Sequence, residues 1–167
     1  MRALLATVVV LLSACADSET YVERLEGVPL LLGEFGSYST EQEARTVLVA
    51  RTIEERERSG LPPGDTRPPH DIVTLAVPGY VHLDVAGELR LLLFNDRLQS
   101  VWFYPTDVDG YLAALKSRGV VVSTDLIAKP AGDSRVITTH DSENRVYVSW
   151  SDWRLDQQTL RWITRYS

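Results

Sequence analysis

The stretch from Asp71 to Tyr104 constrains the fold more than any other part of the chain. Ile72, Thr74 and Ala76 alternate with Val73, Leu75 and Val77, the period of a strand. Pro78-Gly79 then marks a turn, Tyr80 to Val85 continues as a strand, and Gly87 marks another turn. Leu89 to Phe94 faces Leu98 to Tyr104 across Asn95-Asp96-Arg97, a hairpin signal. The expectation is a meander of four antiparallel strands in succession. In the third of these, Leu89, Leu91 and Leu93 point to one side, while Leu92 and Phe94 point to the other. In the fourth, Val101 and Phe103 oppose Trp102 and Tyr104. Both faces are apolar, so a covering layer is expected on each.

The flanks supply candidate helices. Glu41 to Arg58 follows Ser39 and Thr40, either of which can cap a helix, with Gln42 or Glu43 three residues on. Glu41 with Arg45 and Glu54 with Arg58 stand four apart in the favourable order, and Gly60 offers a stop. The β-branched content between Thr46 and Ile53 argues against a helix, and its apolar positions form no clean stripe; helix is the reading preferred. Residues Ser59 to His70 hold four prolines and two glycines and form a loop. After Tyr104, Thr106 or Asp107 caps a short helix through Tyr111 and Leu115 to Gly119, and Val120 to Val122 begins an extended segment. Pro130 to Asp133 breaks the chain. Arg135 to Thr139 and Arg145 to Trp150 flank the polar turn His140 to Asn144 as a second hairpin. Leu155, Thr159, Trp162 and Tyr166 then share one helical stripe, with Asp152 and Asp156 near its start and Arg161 and Arg165 near its end. Alternation of Leu160, Trp162, Thr164 and Tyr166 suits a strand as well; helix is again preferred. The predicted fold class is α+β, an antiparallel sheet made of a meander and a second hairpin, with two or three flanking helices.

Length and composition bound the rest. The 167 residues are 44% hydrophobic and 24% charged, enough for one globular domain, placed at residues 21–167, and too apolar for a disordered chain. One cysteine allows no internal disulfide.

That cysteine closes the strongest addressing signal in the chain. Arg2 supplies a positive start, Ala3 to Leu12 is an uncharged apolar run, and Leu12-Ser13-Ala14-Cys15 ends it with small residues. A membrane span needs about 20 apolar residues, so the run reads as a signal peptide over residues 1–14. These residues resemble the lipobox of bacterial lipoproteins, with Leu12, Ser13 and Ala14 at the positions preceding the invariant cysteine. The resemblance covers the N-terminal segment alone. It implies cleavage before Cys15, a diacylglycerol on the Cys15 sulfur and a third acyl chain on its amine, with residues 15–20 as a short tether. Each buried methylene contributes about 0.8 kcal/mol, so several chains anchor stably. In enterobacteria an aspartate directly after the lipidated cysteine favours inner-membrane retention. Ala16 stands there, with Asp17 one further on, and the inference is an outer-membrane anchor facing the periplasm.

Removing residues 1–14 takes Arg2 from the 17 basic residues and leaves 16 against 23 acidic ones. Such a balance disfavours nucleic acid as a partner. Catalytic chemistry has few carriers: there is no Gly-x-Ser-x-Gly elbow, and Cys15 would be acylated. His70, His82 and His140 lie far apart in sequence, without metal-ligand spacing, so no metal and no cofactor are called for. His140 with Asp141 is read as a polar turn. Asp107-Val108-Asp109-Gly110 falls short of a calcium loop because Tyr111 and Arg118 stand where ligands are required, and is read as a helix start. Gly33 to Gly36 lacks the Gly-Lys-Ser/Thr of a phosphate loop and is read as a turn.

What remains is surface. Trp102, Tyr104, Trp150 and Trp153 gather in the strands and C-terminal segment, with Trp162 beyond them. Large rings with a polar handle often carry binding energy, although core packing is their commoner role. The leading functional expectation is a non-catalytic, lipid-anchored envelope lipoprotein that binds another envelope protein in an accessory or assembly role through these residues. An inhibitor or immunity protein against an envelope enzyme is the alternative, favoured by an exposed, rigid Gly60 to Pro69 loop. A hydrolase ranks below both and requires a pocket gathering a histidine with a carboxylate.

Overall fold

The computed structural model describes residues 28–126, 130 and 132–167. Cys15, the lipobox and the tether 15–20 lie outside the described residues. The chain forms β1 (Leu30–Leu32), β2 (Phe35–Gly36), α1 (Glu41–Val47), β3 (Glu54–Ser59), β4 (Ile72–His82), β5 (Val85–Phe94), β6 (Arg97–Pro105), α2 (Val108–Ser117), β7 (Ser134–His140), β8 (Val146–Asp152) and α3 (Trp153–Tyr166). Strands β1 and β2 make a small hairpin of their own; the other six form one antiparallel sheet in the order β3-β4-β5-β6-β8-β7. The architecture is α+β.

The helix expected from Glu41 to Arg58 stops at Val47, and its second half is the edge strand β3. The capping box is present, with Thr40 Oγ1 accepting from the Glu43 amide at 3.2 Å and Glu43 Oε2 accepting from the Thr40 amide at 2.9 Å. It nucleates a short helix, but the β-branched residues beyond it pack poorly on a helix, and the last charged residues instead pair along β4. Pro78-Gly79 is not a turn. It lies inside the long strand β4, where the register with β5 shifts between Val77 and Tyr80 and Gly79 takes φ 66°, as a bulge permits. The hairpin turn falls instead at Leu83-Asp84, both at positive φ, so the stretch expected to hold four strands holds three, and β3 ahead of them is the fourth strand of the meander. Gly87 likewise sits within β5, where a β-carbon would collide with the Tyr104 carbonyl oxygen and the Phe103 ring. Its glycine serves close strand packing rather than a turn.

One face of the sheet carries the main core. Leu75, Leu89, Leu91, Val101, Phe103 and Val148 are fully buried there beneath Leu32 and Phe35 of the hairpin, Leu48 at the end of α1, and Tyr111 and Leu115 of α2. Burying each such side chain contributes about 1.5–3 kcal/mol.

The opposite face is covered over only part of its area, which corrects the expectation of a full second layer. α3 follows directly on Asp152, its N-cap and the last residue of β8, and lies over the end of the sheet that holds Gln99 and Ser151. Asp152 is fully buried. Its carboxylate accepts from Ser37 Oγ at 2.6 Å, from the Arg154 amide at 2.8 Å and from Arg154 Nη2 at 2.7 Å. One turn on, Asp156 accepts from Gln99 Nε2 at 2.9 Å, Ser151 Oγ at 2.8 Å and Arg135 Nη2 at 2.9 Å. Further along, Trp162 Nε1 donates to the Pro68 carbonyl at 2.8 Å, and its ring stacks 4.1 Å from that of His70. The proline-rich loop is thereby fastened to α3.

Burial pushes the Asp152 carboxyl up, but the bonds from Arg154 and Ser37 outweigh it and hold the group below the ordinary 3.8. A depressed folded-state value means stability that is complete above the unfolded value and lost as pH falls through the folded one. Asp152→Asn can still cap α3 and accept from Ser37, but it loses the charge. Urea unfolding is expected to show a loss of about 2 kcal/mol near neutral pH that shrinks as the pH is lowered below 3.8. A loss of equal size in acid would mean that the charge is not what holds α3 in place.

Candidate functional site

Beyond the reach of α3, the same sheet face is a concave, aromatic and charged basin of about 570 Å³. The strand register builds it. Arg90 of β5 stands opposite Trp102 of β6, and Glu88 opposite Tyr104. Trp102 in turn pairs with Ser149 of β8, and Tyr147, two residues earlier on β8, shares that face by the strand period. The three rings form a row, with Trp102 and Tyr147 centroids 5.1 Å apart and Tyr104 and Tyr147 centroids 5.0 Å apart. Two guanidinium groups lie over the Tyr104 end of the row, Arg90 at 4.5 Å and Arg145 at 4.8 Å from the Tyr104 ring centroid. These are cation–π distances.

The polar groups are held in place by one another. Glu88 accepts from Arg90 Nε at 2.6 Å and from Arg56 Nη2 at 3.4 Å. Asp141 opens the β7–β8 turn and accepts from the amides of Glu143 and Arg145, both at 2.9 Å, and from Arg145 Nε at 3.0 Å. Burial pushes the Asp141 carboxyl up, but the Arg145 and Glu143 bonds prevail and keep it below its usual range. Tyr104 is 7% exposed, and its hydroxyl, which lies within electrostatic reach of Arg90, Arg145 and Asp141, has no hydrogen-bond partner among the described residues. Burial pushes this phenol up to about 12, against the pull of Arg90. Burial also raises Tyr147.

The structure divides the aromatic residues singled out from sequence. Trp102 and Tyr104 line the basin. Trp150 faces the other side of the sheet, 6% exposed, between Tyr111 and His82 in the core. Trp153 begins α3 and lies 5.1 Å beneath the Arg135 guanidinium, and Trp162 holds the proline-rich loop. The histidines are dispersed. His70 stacks on Trp162, His82 Nδ1 lies 2.6 Å from Tyr111 Oη near the core, and His140 ends β7; none lines the basin. Asp107 caps α2 by accepting from the Gly110 amide at 2.9 Å. Among the described residues no group of three or more His, Cys, Asp or Glu is placed to hold a metal, and no helix is long and apolar enough to cross a membrane.

Sequence reasoning missed Tyr147, Glu88, Arg90, Arg145 and Asp141. For Glu88, Arg90 and Tyr147 the signal was present as polar residues at every second position, Glu88 and Arg90 in β5 and Tyr147, Ser149 and Ser151 in β8. This is the mark of a face that is not covered throughout. The chain matches no family model and no curated protein.

A buried hydroxyl without a partner costs about 1–3 kcal/mol. Tyr104→Phe is therefore expected to raise stability by about 1 kcal/mol near neutral pH. The tyrosine also makes stability fall between pH 10, where the unfolded phenol ionises, and about 12, where the folded one does. Unfolding of the variant should show a shallower alkaline loss; a destabilised variant would mean that the hydroxyl is bonded within the protein.

Proposed function

We propose that this protein is a lipid-anchored lipoprotein of the bacterial envelope, held at the outer membrane facing the periplasm, that acts by binding in an accessory or assembly role. The basin on the uncovered part of the sheet is its receiving surface. The observation that carries the binding reading is the convergence there of three aromatic rings with arginines and carboxylates fixed by mutual ion pairs. Preorganised polar groups around rings are what a recognition surface needs. The lining holds no histidine and no cysteine, and its carboxylates are engaged by arginines, which favours binding over catalysis. The anchor rests on Leu12-Ser13-Ala14-Cys15.

A second reading, an inhibitor that plugs an enzyme cleft, has one observation of its own. The loop from Gly60 to His70 is mostly exposed, yet it is fastened at Pro68 by Trp162, at Pro69 by Asn95 Nδ2 at 3.0 Å, and through Arg67 Nη1 to the Tyr166 carbonyl at 3.0 Å. Stiff exposed loops bind with little entropic loss.

Both readings are tested in native cells with the tagged full-length protein, Cys15→Ser, Trp102→Ala and the exposed-loop variant Thr66→Glu. Wild type is expected in the membrane fraction, and Cys15→Ser is expected to be released; identical fractionation would defeat the anchor. After crosslinking, loss of the captured envelope component in Trp102→Ala alone supports the basin. Loss in Thr66→Glu alone supports the inhibitor.

A further inference from the structure

Resting on the reading of the basin as a binding surface, we infer that its ligand is a neutral, hydroxyl-rich carbohydrate, seated with a sugar ring against Trp102 and Tyr147 and its hydroxyls on Glu88 and Arg90. Charge balance comes first. Three arginines, Arg56, Arg90 and Arg145, line the basin together with three carboxylates, Glu88, Asp141 and Glu143, so the surface has no net charge to hold an ion. A phosphate or carboxylate ligand reaching the guanidinium groups would meet Glu88 beside them, and an ammonium reaching Glu88 would meet Arg90 and Arg56. Either ion would have to displace an existing pair.

The donors and acceptors left over suit hydroxyls. Arg90 uses only its Nε toward Glu88, and its terminal nitrogens have no hydrogen-bond partner among the described residues. Glu88 Oε2 receives only the long 3.4 Å bond from Arg56 and retains accepting capacity. Tyr104 Oη is sealed from solvent, so this residue serves as ring floor beneath the two arginines rather than as a hydrogen-bonding group. A donor and an acceptor side by side match a vicinal diol, in which every hydroxyl both donates and accepts. The ring row supplies the other half of sugar recognition. A pyranose has one face of C–H groups, and these pack on aromatic surface without a charge. At about 570 Å³ the basin lies within the span of about 300–1,000 Å³ typical of small-molecule sites, room for a short oligosaccharide.

The test titrates detergent-solubilised full-length protein with neutral tetrasaccharides of glucose and of N-acetylglucosamine. A glucose phosphate and a polyamine serve as charged probes. Binding is read by calorimetry and tryptophan fluorescence. At least one neutral sugar is expected to saturate the protein, with Kd changing less than about twofold between low and high salt because no net charge is neutralised. Glu88→Gln is expected to weaken it about tenfold, the loss of a hydrogen bond of about 1.4 kcal/mol, and Trp102→Ala at least about tenfold through loss of the ring face, with a cooperative unfolding transition retained in both. Neutral sugar binding that both variants leave unchanged would overturn the inference by placing the sugar elsewhere. If a charged probe alone saturates the basin, and the variants weaken it, the carbohydrate is overturned while the basin stands as a binding surface. If no probe binds and Trp102→Ala still retains the crosslinked envelope component, the carbohydrate and the basin fail together.

Discussion

The buried carboxylate of Asp152 is the point on which the arrangement turns. It ends β8, caps α3, and receives both Ser37 from the segment before α1 and the Arg154 side chain. A charge removed from water is tolerated only when its lone pairs are filled, and here they are filled by groups more than a hundred residues apart in sequence. The position of this cap also sets where α3 begins, and therefore how much of the sheet it can shelter. Fourteen residues of helix reach back over the Gln99 and Ser151 end. They leave the Trp102 and Tyr104 end to be completed by other means.

Those means are electrostatic and aromatic rather than apolar. Where α3 stops, side chains change from Leu155 and Trp162 to arginines laid over tyrosine. The guanidinium groups of Arg90 and Arg145 lie over the Tyr104 ring while each also pairs with a carboxylate, Glu88 or Asp141, so the same groups shield ring surface and stay ion-paired. Individually these exposed pairs add little stability. Their effect is geometric, because each carboxylate fixes an arginine, and each arginine in turn fixes a ring face.

The sheet, the Asn95-Asp96 hairpin and the C-terminal helix were legible from residue alternation, turn residues and stripe spacing, since these are local properties. Asn95 and Asp96 take positive φ at 49° and 56°, as the tight hairpin demands. Pro78-Gly79 misled because the same dipeptide serves a turn or a bulge, and only the partner strand decides. The end of α1 was hidden for a similar reason: Glu54 to Arg58 has the spacing of helical ion pairs, and its pairing with β4 is a tertiary event that overrides propensity. In the site, Trp102 and Tyr104 were found from side-chain type. Trp150 was grouped with them because sequence alone does not say which sheet face is the buried one. Tyr147 and Arg145 come from a hairpin more than forty residues downstream of Trp102, and no local signal joins them to it.

The two rims of the sheet are protected by different devices. At one, β3 presents Glu54, Glu55, Arg56, Glu57 and Arg58, so that a second strand docking there would have to strip water from five charged side chains. At the other, Ser123 forms a parallel bridge to Ile137, its amide donating to the Val136 carbonyl at 2.9 Å while its own carbonyl accepts from Thr138 at 2.9 Å. Unprotected rims are where sheets of separate molecules join and grow. A chain whose sheet is charged along one rim and bridged by its own backbone midway along the other can be crowded at high local density and offer its neighbours little strand to extend.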